Sequence, residues 1–285
     1  MRKTSEGQIM LKHRLPLIGR LYRQRDKARN ELREVREQLS HMQNETETSV
    51  KPVDQRLYVL EGVMLEIPLN IMSDKFHSDL MNGTYEDKEL SPIRKNLRPD
   101  DTVLELGAAV GFISTWVAKM LPQGRVVTYE ANPNMIPVAA NNHKRNNVNV
   151  VLNHALVTSS DSETMDFFVD KTFFWDSGIY ARAHDNGSVR EKISVRSENF
   201  SKILREVDPS ILIIDIEGGE VGLFDNVSSL GRVRHIFFEL HAFIGPLEIH
   251  RIFKKLDELG YVYDEIHSTG YIATFSLGSG LITSS

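Results

Sequence analysis

The stretch Val103-Leu-Glu-Leu-Gly-Ala-Ala-Val-Gly111 decides the fold of this chain. An apolar strand runs into a glycine turn, and a helix is expected to begin near Gly111. The next apolar run, Val126-Val-Thr-Tyr129, ends in Glu130, roughly twenty residues beyond the turn. A carboxylate at that position can accept hydrogen bonds from ribose hydroxyls. Together the two strands predict a site for a ligand that carries an adenosine group.

The spacing of the glycines indicates which adenosine ligand is bound. Gly107 and Gly111 give Glu-x-Gly-x-x-x-Gly, whereas a dinucleotide site needs Gly-x-Gly-x-x-Gly to bring backbone amides to a pyrophosphate. A ligand with a ribose and a charged amino-acid tail, but no phosphate, fits this turn better. The pattern therefore predicts S-adenosylmethionine as the cofactor. The alternative is an ordinary strand-to-helix turn with a solvated glutamate.

Each cofactor group has an expected partner in and around the turn. We expect Glu105 to anchor the ammonium group and Gly107 to let the ligand approach the backbone. Glu130 is expected to bind both ribose hydroxyls. The remaining expected cofactor contacts are two further turn residues and two residues near the adenine, where a histidine would meet the edge or face of the ring: Ala108, Gly111, Ala131 and His154.

The composition excludes several kinds of chemistry. The 285 residues are 41% hydrophobic, enough for a substantial core, and contain no cysteine. Disulfides, thiolate zinc sites and cysteine nucleophiles are therefore excluded. The longest uncharged apolar stretch, residues 106–118, is too short to span a membrane. We expect a soluble, cytoplasmic protein.

The N-terminal segment differs from the rest of the chain in charge and pattern. Residues 1–40 carry a net charge of +6, which leaves −11 for the remainder. We expect residues 1–50 to form a basic segment with an amphipathic helix and a polar linker, and residues 51–285 to form the main domain. Apolar heptad positions within residues 18–42 predict a coiled coil that joins a homodimer. The alternatives are a solvated helix, a helix packed on the body, and weak peripheral contact with anionic lipid.

Strands and helices alternate through the main domain. Such alternation predicts an α/β fold with a doubly wound, mostly parallel sheet covered on both faces. The last two strands have no helix between them, so the sheet is expected to end in an antiparallel hairpin, as in class I methyltransferases with their Rossmann-like topology. The predicted strands are 57–60, 63–67, 103–106, 126–129, 148–153, 164–169, 192–195, 211–215, 233–239, 261–266 and 271–275, and the predicted helices are 88–96, 132–146, 199–206, 218–229 and 246–258.

Polar residues follow two of the predicted strands. Asp215 and Glu217 come after one strand, and Glu239 and His241 follow the next, at the edge of a parallel sheet where ligands bind. If the methyl acceptor is an alcohol, its proton must be removed by a base, and Asp215 or His241 could supply it. Two other interpretations stay open. The acids Asp215, Glu217 and Glu220 could cap helix 218–229, and a divalent cation on Asp215, Glu217 and Glu239 is compatible with the spacing but not demanded by it.

An aromatic segment follows the strand at 164–169. Phe173-Phe-Trp-Asp-Ser-Gly-Ile-Tyr180 is expected to be an irregular insertion over the site. Exposed aromatic rings serve as platforms for sugar rings, so this segment could help to bind the acceptor. The alternative is a small satellite core under a loop.

Five segments together resemble the FkbM family of S-adenosylmethionine-dependent methyltransferases. They are Gly83-Thr-Tyr-Glu86, Leu104-Glu-Leu-Gly-Ala-Ala-Val-Gly111, Tyr129-Glu-Ala-Asn-Pro133, Ile214-Asp-Ile-Glu-Gly-Gly-Glu220 and Phe238-Glu-Leu240. The resemblance spans about residues 80–277 and implies O-methylation, commonly of a sugar hydroxyl in bacterial glycans or of a hydroxyl on a natural product. Outside it, Arg14-Leu-Pro-Leu-Ile-Gly-Arg20 is similar to leaders of bacterial polysaccharide-biosynthesis proteins.

The chain departs from the family pattern at three positions. Glu105 stands where the family usually has Asp, Ala109 where it has Asn, and Ile213 where a Lys is common. These changes leave the acceptor open and motivate an alternative, in which the chain is a cofactor-binding or scaffold protein with lost or changed activity. Methylation of a nucleic acid is disfavoured, because the body is acidic and phosphate attraction requires a basic face.

Overall fold

The computed structural model of the protein describes residues 55–170, 173–181 and 190–278. The predicted basic segment, coiled-coil dimer, linker and domain boundary at residues 50–51 lie outside the described residues. Among the helices within those ranges, none has the length and apolar character needed to cross a membrane.

The described elements follow the alternation expected from the sequence. The strands are β1 (Gln55–Leu60), β2 (Val63–Pro68), β3 (Thr102–Leu106), β4 (Arg125–Glu130), β5 (Val150–His154), β6 (Leu156–Thr158), β7 (Thr164–Asp170), β8 (Arg190–Asn199), β9 (Ile211–Ile214), β10 (His235–Glu239), β11 (Tyr261–Tyr263) and β12 (Ile272–Leu277). The α-helices are Asp74–Asn82, Asp87–Asn96, Phe112–Met120, Ile136–Arg145, Phe200–Val207 and Pro246–Glu258.

Seven strands form the central sheet, in the order β11-β12-β10-β9-β3-β4-β5. Strands β10, β9, β3, β4 and β5 run parallel to one another, and β12 runs antiparallel to both β10 and β11. All four residues of β9 are buried, as expected for a strand covered on both faces. The predicted class I methyltransferase topology, with its antiparallel C-terminal hairpin, is confirmed.

The two faces of the sheet carry separate apolar cores. The β1–β2 hairpin and helices 74–82, 112–120 and 136–145 contribute to one core, and helices 200–207 and 246–258 to the other. Helix 200–207 shows why these segments are helical. Its buried side chains recur at the spacing of one helix face, and the Asn199 side chain accepts a hydrogen bond from the backbone N–H of Lys202. The buried residues of that face are Phe200, Ile203, Leu204 and Val207.

Strands β6, β8 and β7 form a three-stranded sheet of their own, whereas the sequence predicted two of them as additions to the main sheet. β7 pairs antiparallel with β8 along seven residues, and β6 pairs parallel with its end. A small core lies on this sheet, built around Leu156, Phe167, Val169 and Val195. The local pattern predicted strands correctly, but their pairing depends on long-range contacts that no local pattern contains.

The predicted helix at 218–229 is wrong. Residues 217–226 form turns, because Glu217, Gly218 and Gly222 have φ angles of 49°, 98° and 75°. An α-helix needs negative φ at every residue. The helix expected from residue 132 begins only at Ile136, since the Asn132 side chain first accepts a hydrogen bond from the N–H of Asn134 in a local turn.

An ion pair between the buried Asp101 and the half-buried Arg234 joins β3, β9 and β10 at the edge of the sheet where these strands begin. Arg234, just before β10, donates to both carboxylate oxygens of Asp101, at 2.7 and 2.9 Å. The Ser210 hydroxyl, just before β9, donates to the same carboxylate at 2.6 Å. Burial alone would raise the pKa of Asp101, but the hydrogen bonds from Ser210 and Arg234 outweigh it and lower the pKa. The carboxylate is therefore ionised and held by its partners.

We expect Arg234→Met to lower the free energy of unfolding by about 3 kcal/mol, because it leaves the buried Asp101 charge without its guanidinium. Arg232→Met is the matched control, since Arg232 pairs with the exposed Asp208 and should change stability by less than about 1 kcal/mol. Urea unfolding of both variants measures the difference. Equal effects from the two substitutions would show that the buried pair has no special role in stability.

Candidate active site

The residues that follow β3 and β9 approach each other at Gly107. The backbone N–H of Asp215 donates to the carbonyl of Leu106 at 2.9 Å, and a Cβ at Gly107 would collide with the backbone oxygen of Asp215. Gly107 also has a φ of 94°, which favours glycine. Only glycine allows both the turn and this contact. The sequence therefore brings the predicted cofactor turn and the predicted catalytic carboxylate to one point.

Glu130 fixes the turn from the neighbouring strand. One carboxylate oxygen accepts from the N–H of Ala109 and the other from the N–H of Asn132, both at 2.7 Å. Burial raises the pKa of Glu130, and hydrogen bonds from backbone N–H groups, that of Asn132 first, oppose the shift. Each carboxylate oxygen has a second lone pair. The group can therefore hold the turn and still accept ribose hydroxyls.

A cavity of about 520 Å³ extends from Glu130 to the ends of β9 and β10. Its volume lies in the range typical of pockets for small ligands. One end has apolar walls, and the other end contains most of the acidic groups. Near Glu130 the walls include Ala131, Met135, Ala155, Val157 and Phe167, and toward β9 and β10 they include Tyr85, Glu86, Glu89, Asp215, Glu217, Glu239 and Tyr271.

Three of the predicted cofactor residues line this cavity, and four do not. Gly107, Glu130 and Ala131 are part of its wall. Gly111 packs against Ala139 and His143 behind the turn, and Ala108 is buried. His154 is exposed at the end of β5, where a ring nitrogen lies 3.3 Å from the Ala131 carbonyl. A contact between His154 and adenine stays a prediction that the cavity wall does not support.

Glu105 is placed in the protein interior and not at the cavity. Its side chain lies among β3, β4 and helix 112–120, and the residue is only 2% exposed. Burial raises the pKa of Glu105 to about 7, although the hydroxyls of Thr128 and Ser114 oppose the shift. The carboxyl is therefore partly protonated near neutral pH. The expected contact with the cofactor ammonium has no support from this position.

The four predicted catalytic residues form one cluster. His241 follows β10, and its Nε2 lies 3.5 Å from Oδ1 of Asp215, 3.3 Å from Oε1 of Glu217 and 3.9 Å from Oε1 of Glu239. The three carboxylates line the cavity, whereas His241 lies behind them. The adjacent parallel strands β9 and β10 explain this convergence, because their carboxyl ends lie side by side.

Glu220 has a role that the sequence did not reveal. Its side chain is fully buried, and Oε1 lies 3.1 Å from Nδ1 of His241 and accepts from the N–H of Ile216 at 3.2 Å. The sequence favoured Glu220 as a helix cap, but no helix follows. Only the spacing of the Asp-x-Glu-Gly-Gly-Glu segment marked it, and that signal does not specify a partner. In the structure, Glu220 orients the imidazole.

Burial and mutual repulsion perturb the ionisation of this cluster. Burial raises the pKa of Asp215, His241 opposes the shift, and Glu217 and Glu220 add to it, so that the pKa is raised to about 8. Burial, followed by the charge of Asp215, raises the pKa of Glu239 to about 10. Burial would lower the pKa of His241, but Glu217, Glu220 and Asp215 outweigh it and raise the pKa to about 11. Strongly perturbed groups that share a cavity are typical of functional sites.

Several wall residues had no predicted role. Tyr85, Glu86 and Glu89 come from the segment before helix 87–96 and its first turn, and Tyr271 lies just before β12. The Gly83–Glu86 segment carried the family resemblance, but nothing in it indicated which side chains would face the cavity. In the aromatic segment, Phe174 and Trp175 both line the wall. Phe174 also packs edge-on against Phe76 within one of the two main cores, so it is not part of a small satellite core, and the platform for sugar rings stays a prediction.

Comparison with protein families identifies the domain. A model of the methyltransferase FkbM domain matches residues 105–263, more than half of the chain. The chain belongs to the FkbM methyltransferase family. Membership confirms the prediction of an S-adenosylmethionine-dependent methyltransferase. Among curated proteins, no sequence matches this FkbM methyltransferase.

Solved structures similar to this FkbM methyltransferase are distant. The O-methyltransferase from Bacillus cereus in complex with SAH has 16% identity and a TM-score of 0.40, over 73% of this chain and 84% of that one. The precorrin-6y C5,15-methyltransferase from Geobacter metallireducens has 15% identity and a TM-score of 0.39, over 67% and 85%. The O-methyltransferase TomG from Streptomyces achromogenes has 17% identity and a TM-score of 0.39, over 68% and 79%.

We expect Glu105→Gln to stabilise this FkbM methyltransferase at alkaline pH without weakening cofactor binding. The pKa of Glu105 is about 7 when folded, against 4.5 for an ordinary glutamate, so the folded state binds more protons and wild-type stability falls as the pH rises through this window. Between about pH 5 and about pH 8, the variant should gain about 2 kcal/mol of unfolding free energy over wild type. Urea unfolding at both pH values measures the gain.

The control for this variant is Glu163→Gln, which removes an exposed carboxylate just before β7 and should change stability by less than about 0.5 kcal/mol. Calorimetric titration with S-adenosylhomocysteine provides the second readout. A loss of affinity in Glu105→Gln of about tenfold or more, with the fold intact, would restore Glu105 as a cofactor residue.

Proposed function

We propose that this methyltransferase transfers the methyl group of S-adenosylmethionine to a hydroxyl of a sugar or another small polyhydroxylated molecule. One observation carries the proposal: a single cavity has Glu130 at one end and Asp215, Glu217 and Glu239 at the other. The Glu130 end suits a nucleoside, because ribose hydroxyls meet a carboxylate beside apolar walls. The other end suits an alcohol that must lose a proton.

The charge of the cavity restricts the acceptor. Lys75 and Lys88 are the two lysines among its described lining residues, against eight acidic side chains, of which Asp215 and Glu239 have pKa values raised to about 8 and about 10. Carboxylates accept hydrogen bonds from hydroxyl groups but repel phosphates and acidic sugars. A neutral or cationic acceptor rich in hydroxyls therefore fits best, and a nucleic acid fits poorly. The eight acidic wall residues are Asp79, Glu86, Asp87, Glu89, Glu130, Asp215, Glu217 and Glu239.

Aromatic side chains in the wall support a sugar as the acceptor. Trp175, Phe174 and Tyr85 contact the same buried ring, Phe76, with centroid distances between 5.0 and 5.8 Å. On the other side of the acidic end, the ring of Tyr271 lies 4.6 Å from Nζ of Lys88. Flat apolar faces beside hydrogen-bonding carboxylates provide the two kinds of contact that a sugar ring offers.

For methyl transfer, the protein mainly has to hold the acceptor in position and remove its hydroxyl proton. S-adenosylmethionine supplies an electrophilic methyl group on a sulfonium, and displacement is in line, so the acceptor oxygen must be held close to that carbon. The turn at Gly107 holds the cofactor side, and the cluster at the ends of β9 and β10 takes the hydroxyl proton. Asp215 contributes to both the turn and the cluster, because its backbone contacts the turn and its side chain lines the cavity.

We expect Glu130→Gln to weaken binding of S-adenosylhomocysteine by about tenfold to about a hundredfold, the loss of a hydrogen bond to a charged acceptor. Calorimetric titration measures the affinity, and thermal unfolding checks the fold. Glu198→Gln is the control, since Glu198 accepts from the Tyr129 hydroxyl at 3.4 Å and does not line the cavity. Unchanged affinity in folded Glu130→Gln would remove Glu130 from the cofactor site.

The acceptor class is tested with radiolabelled S-adenosylmethionine and a panel of neutral, amino and acidic sugars. We expect methyl transfer to neutral or amino sugars and little transfer to uronic acids or sugar phosphates. Asp215→Asn should lower kcat by at least about a hundredfold, because it removes a carboxylate from the cluster that takes the hydroxyl proton. Its affinity for S-adenosylhomocysteine should stay within about threefold of wild type.

Asp100→Asn is the matched control, because it removes an exposed carboxylate in the loop before β3. A panel without any methylated product, from protein that binds the cofactor, would favour the scaffold alternative. Transfer to acidic acceptors alone would contradict the charge argument, and full activity in Asp215→Asn would exclude Asp215 from the reaction.

A further inference from the structure

The imidazole of His241 points into the acidic cluster with a nitrogen that has no hydrogen-bond partner among the described residues. Only 10% of the side chain is exposed, and Nε2 itself is buried. Oδ1 of Asp215, 3.5 Å away, is likewise buried and unpartnered within the described part of the chain. Buried polar atoms in folded proteins are nearly always satisfied. Nε2 and Oδ1 thus face each other across 3.5 Å without a hydrogen bond, a spacing that a bound cation can bridge when it replaces the ring proton.

The other nitrogen of the same ring is held in place. Nδ1 lies 3.1 Å from Oε1 of Glu220, whose side chain is fully buried. A carboxylate that fixes one imidazole nitrogen determines where the other nitrogen points. Histidines that bind metal ions have this arrangement, in which the ring donates from one nitrogen to a carboxylate and binds the metal with the other. Glu220 therefore prepares Nε2 as a ligand atom.

The side chains around Nε2 are spaced so that they could bind one cation. Ligand atoms of Asp215, Glu239 and His241 all lie within 4.8 Å of one another. An ion about 2.1 Å from each atom would hold neighbouring ligands about 3.0 to 3.4 Å apart. The distances from Nε2 to Asp215 and Glu239, 3.5 and 3.9 Å, need only small side-chain rotations to reach that range. The three ligands come from two neighbouring strand ends, so the fold itself assembles them.

We propose that Asp215, Glu239 and His241 bind a divalent transition-metal ion such as Mn²⁺. Two carboxylates and one imidazole are a mixed oxygen and nitrogen set, which suits Mn²⁺ or Zn²⁺ better than Ca²⁺, whose sites are built from oxygen alone. Oε1 of Glu217, 3.3 Å from Nε2, is close enough to bind a water on the ion.

The metal site goes beyond the proposed function and does not depend on the identity of the acceptor. Asp215 and Glu239 line the cavity at its acceptor end, so the bound ion would face the acceptor. A metal ion lowers the pKa of a hydroxyl that it binds. Within the cluster, Glu217 would then lie outside the ligand set and next to the hydroxyl, where it can take the proton.

The test is a titration of the purified full-length protein with MnCl₂, followed by electron paramagnetic resonance. Free Mn²⁺ gives a strong signal that decreases on binding, and pulsed spectra detect a coordinated imidazole nitrogen. We expect one bound Mn²⁺ per chain, with nitrogen coupling in wild type and none in His241→Gln. Glu239→Gln should weaken binding by at least about tenfold, because even residues that only support the ligands contribute that much to metal affinity.

His267→Gln is the matched control, because His267 also contacts a carboxylate, with Nδ1 2.7 Å from Oδ2 of Asp264, outside the cluster. It should bind Mn²⁺ as wild type does. No Mn²⁺ binding at millimolar concentration would overturn the proposal, as would nitrogen coupling that persists in His241→Gln. Titration of the same samples with S-adenosylhomocysteine separates the metal site from the proposed function. If the protein binds S-adenosylhomocysteine but not Mn²⁺, only the metal site is rejected.

Discussion

The close approach of two backbone segments at Gly107 is the constraint on which the site depends. The turn after β3 and the end of β9 touch there, and any side chain at this position would force them apart. Such a shift would move the cofactor turn away from Asp215, with which it shares the cavity. The main-chain bond from Asp215 to Leu106 depends on the same contact. A position without a side chain therefore joins the two halves of the site.

Several energetically unfavourable features lie in the walls of the same cavity. Ala109, Glu86 and Glu217 have positive φ angles of 45°, 55° and 49°, which residues other than glycine rarely adopt. Buried carboxylates gather at the same edge of the sheet, with pKa values raised by desolvation. Strain and buried charge of this kind persist only where the surrounding structure holds them. The two packed cores and the Asp101–Arg234 pair at the opposite edge provide that support.

Sequence-based predictions were correct where interactions between neighbouring residues determine the structure, and they were less successful where contacts between distant segments determine it. Apolar strands and the helix at 200–207 were predicted correctly because neighbouring residues determine them. Helix 218–229 was predicted wrongly, since its acids looked like a cap while Gly218 and Gly222 adopt left-handed conformations. The separate β6-β8-β7 sheet was missed because strand pairing between distant segments leaves no local pattern. The motif predicted that Glu105 contacts the cofactor, and packing buries its side chain, so that contact stays a prediction.

The sequence by itself determined the fold class, the family and the residues that gather at the strand ends, because glycine spacing, apolar runs and carboxylates after strands are local properties of the chain. The tertiary structure decided how those residues face one another. Only it places Glu220 against Nδ1 of His241 and leaves Nε2 among the carboxylates of Asp215, Glu217 and Glu239. Directions of side chains from separate strands depend on sheet register and packing, which no single segment encodes.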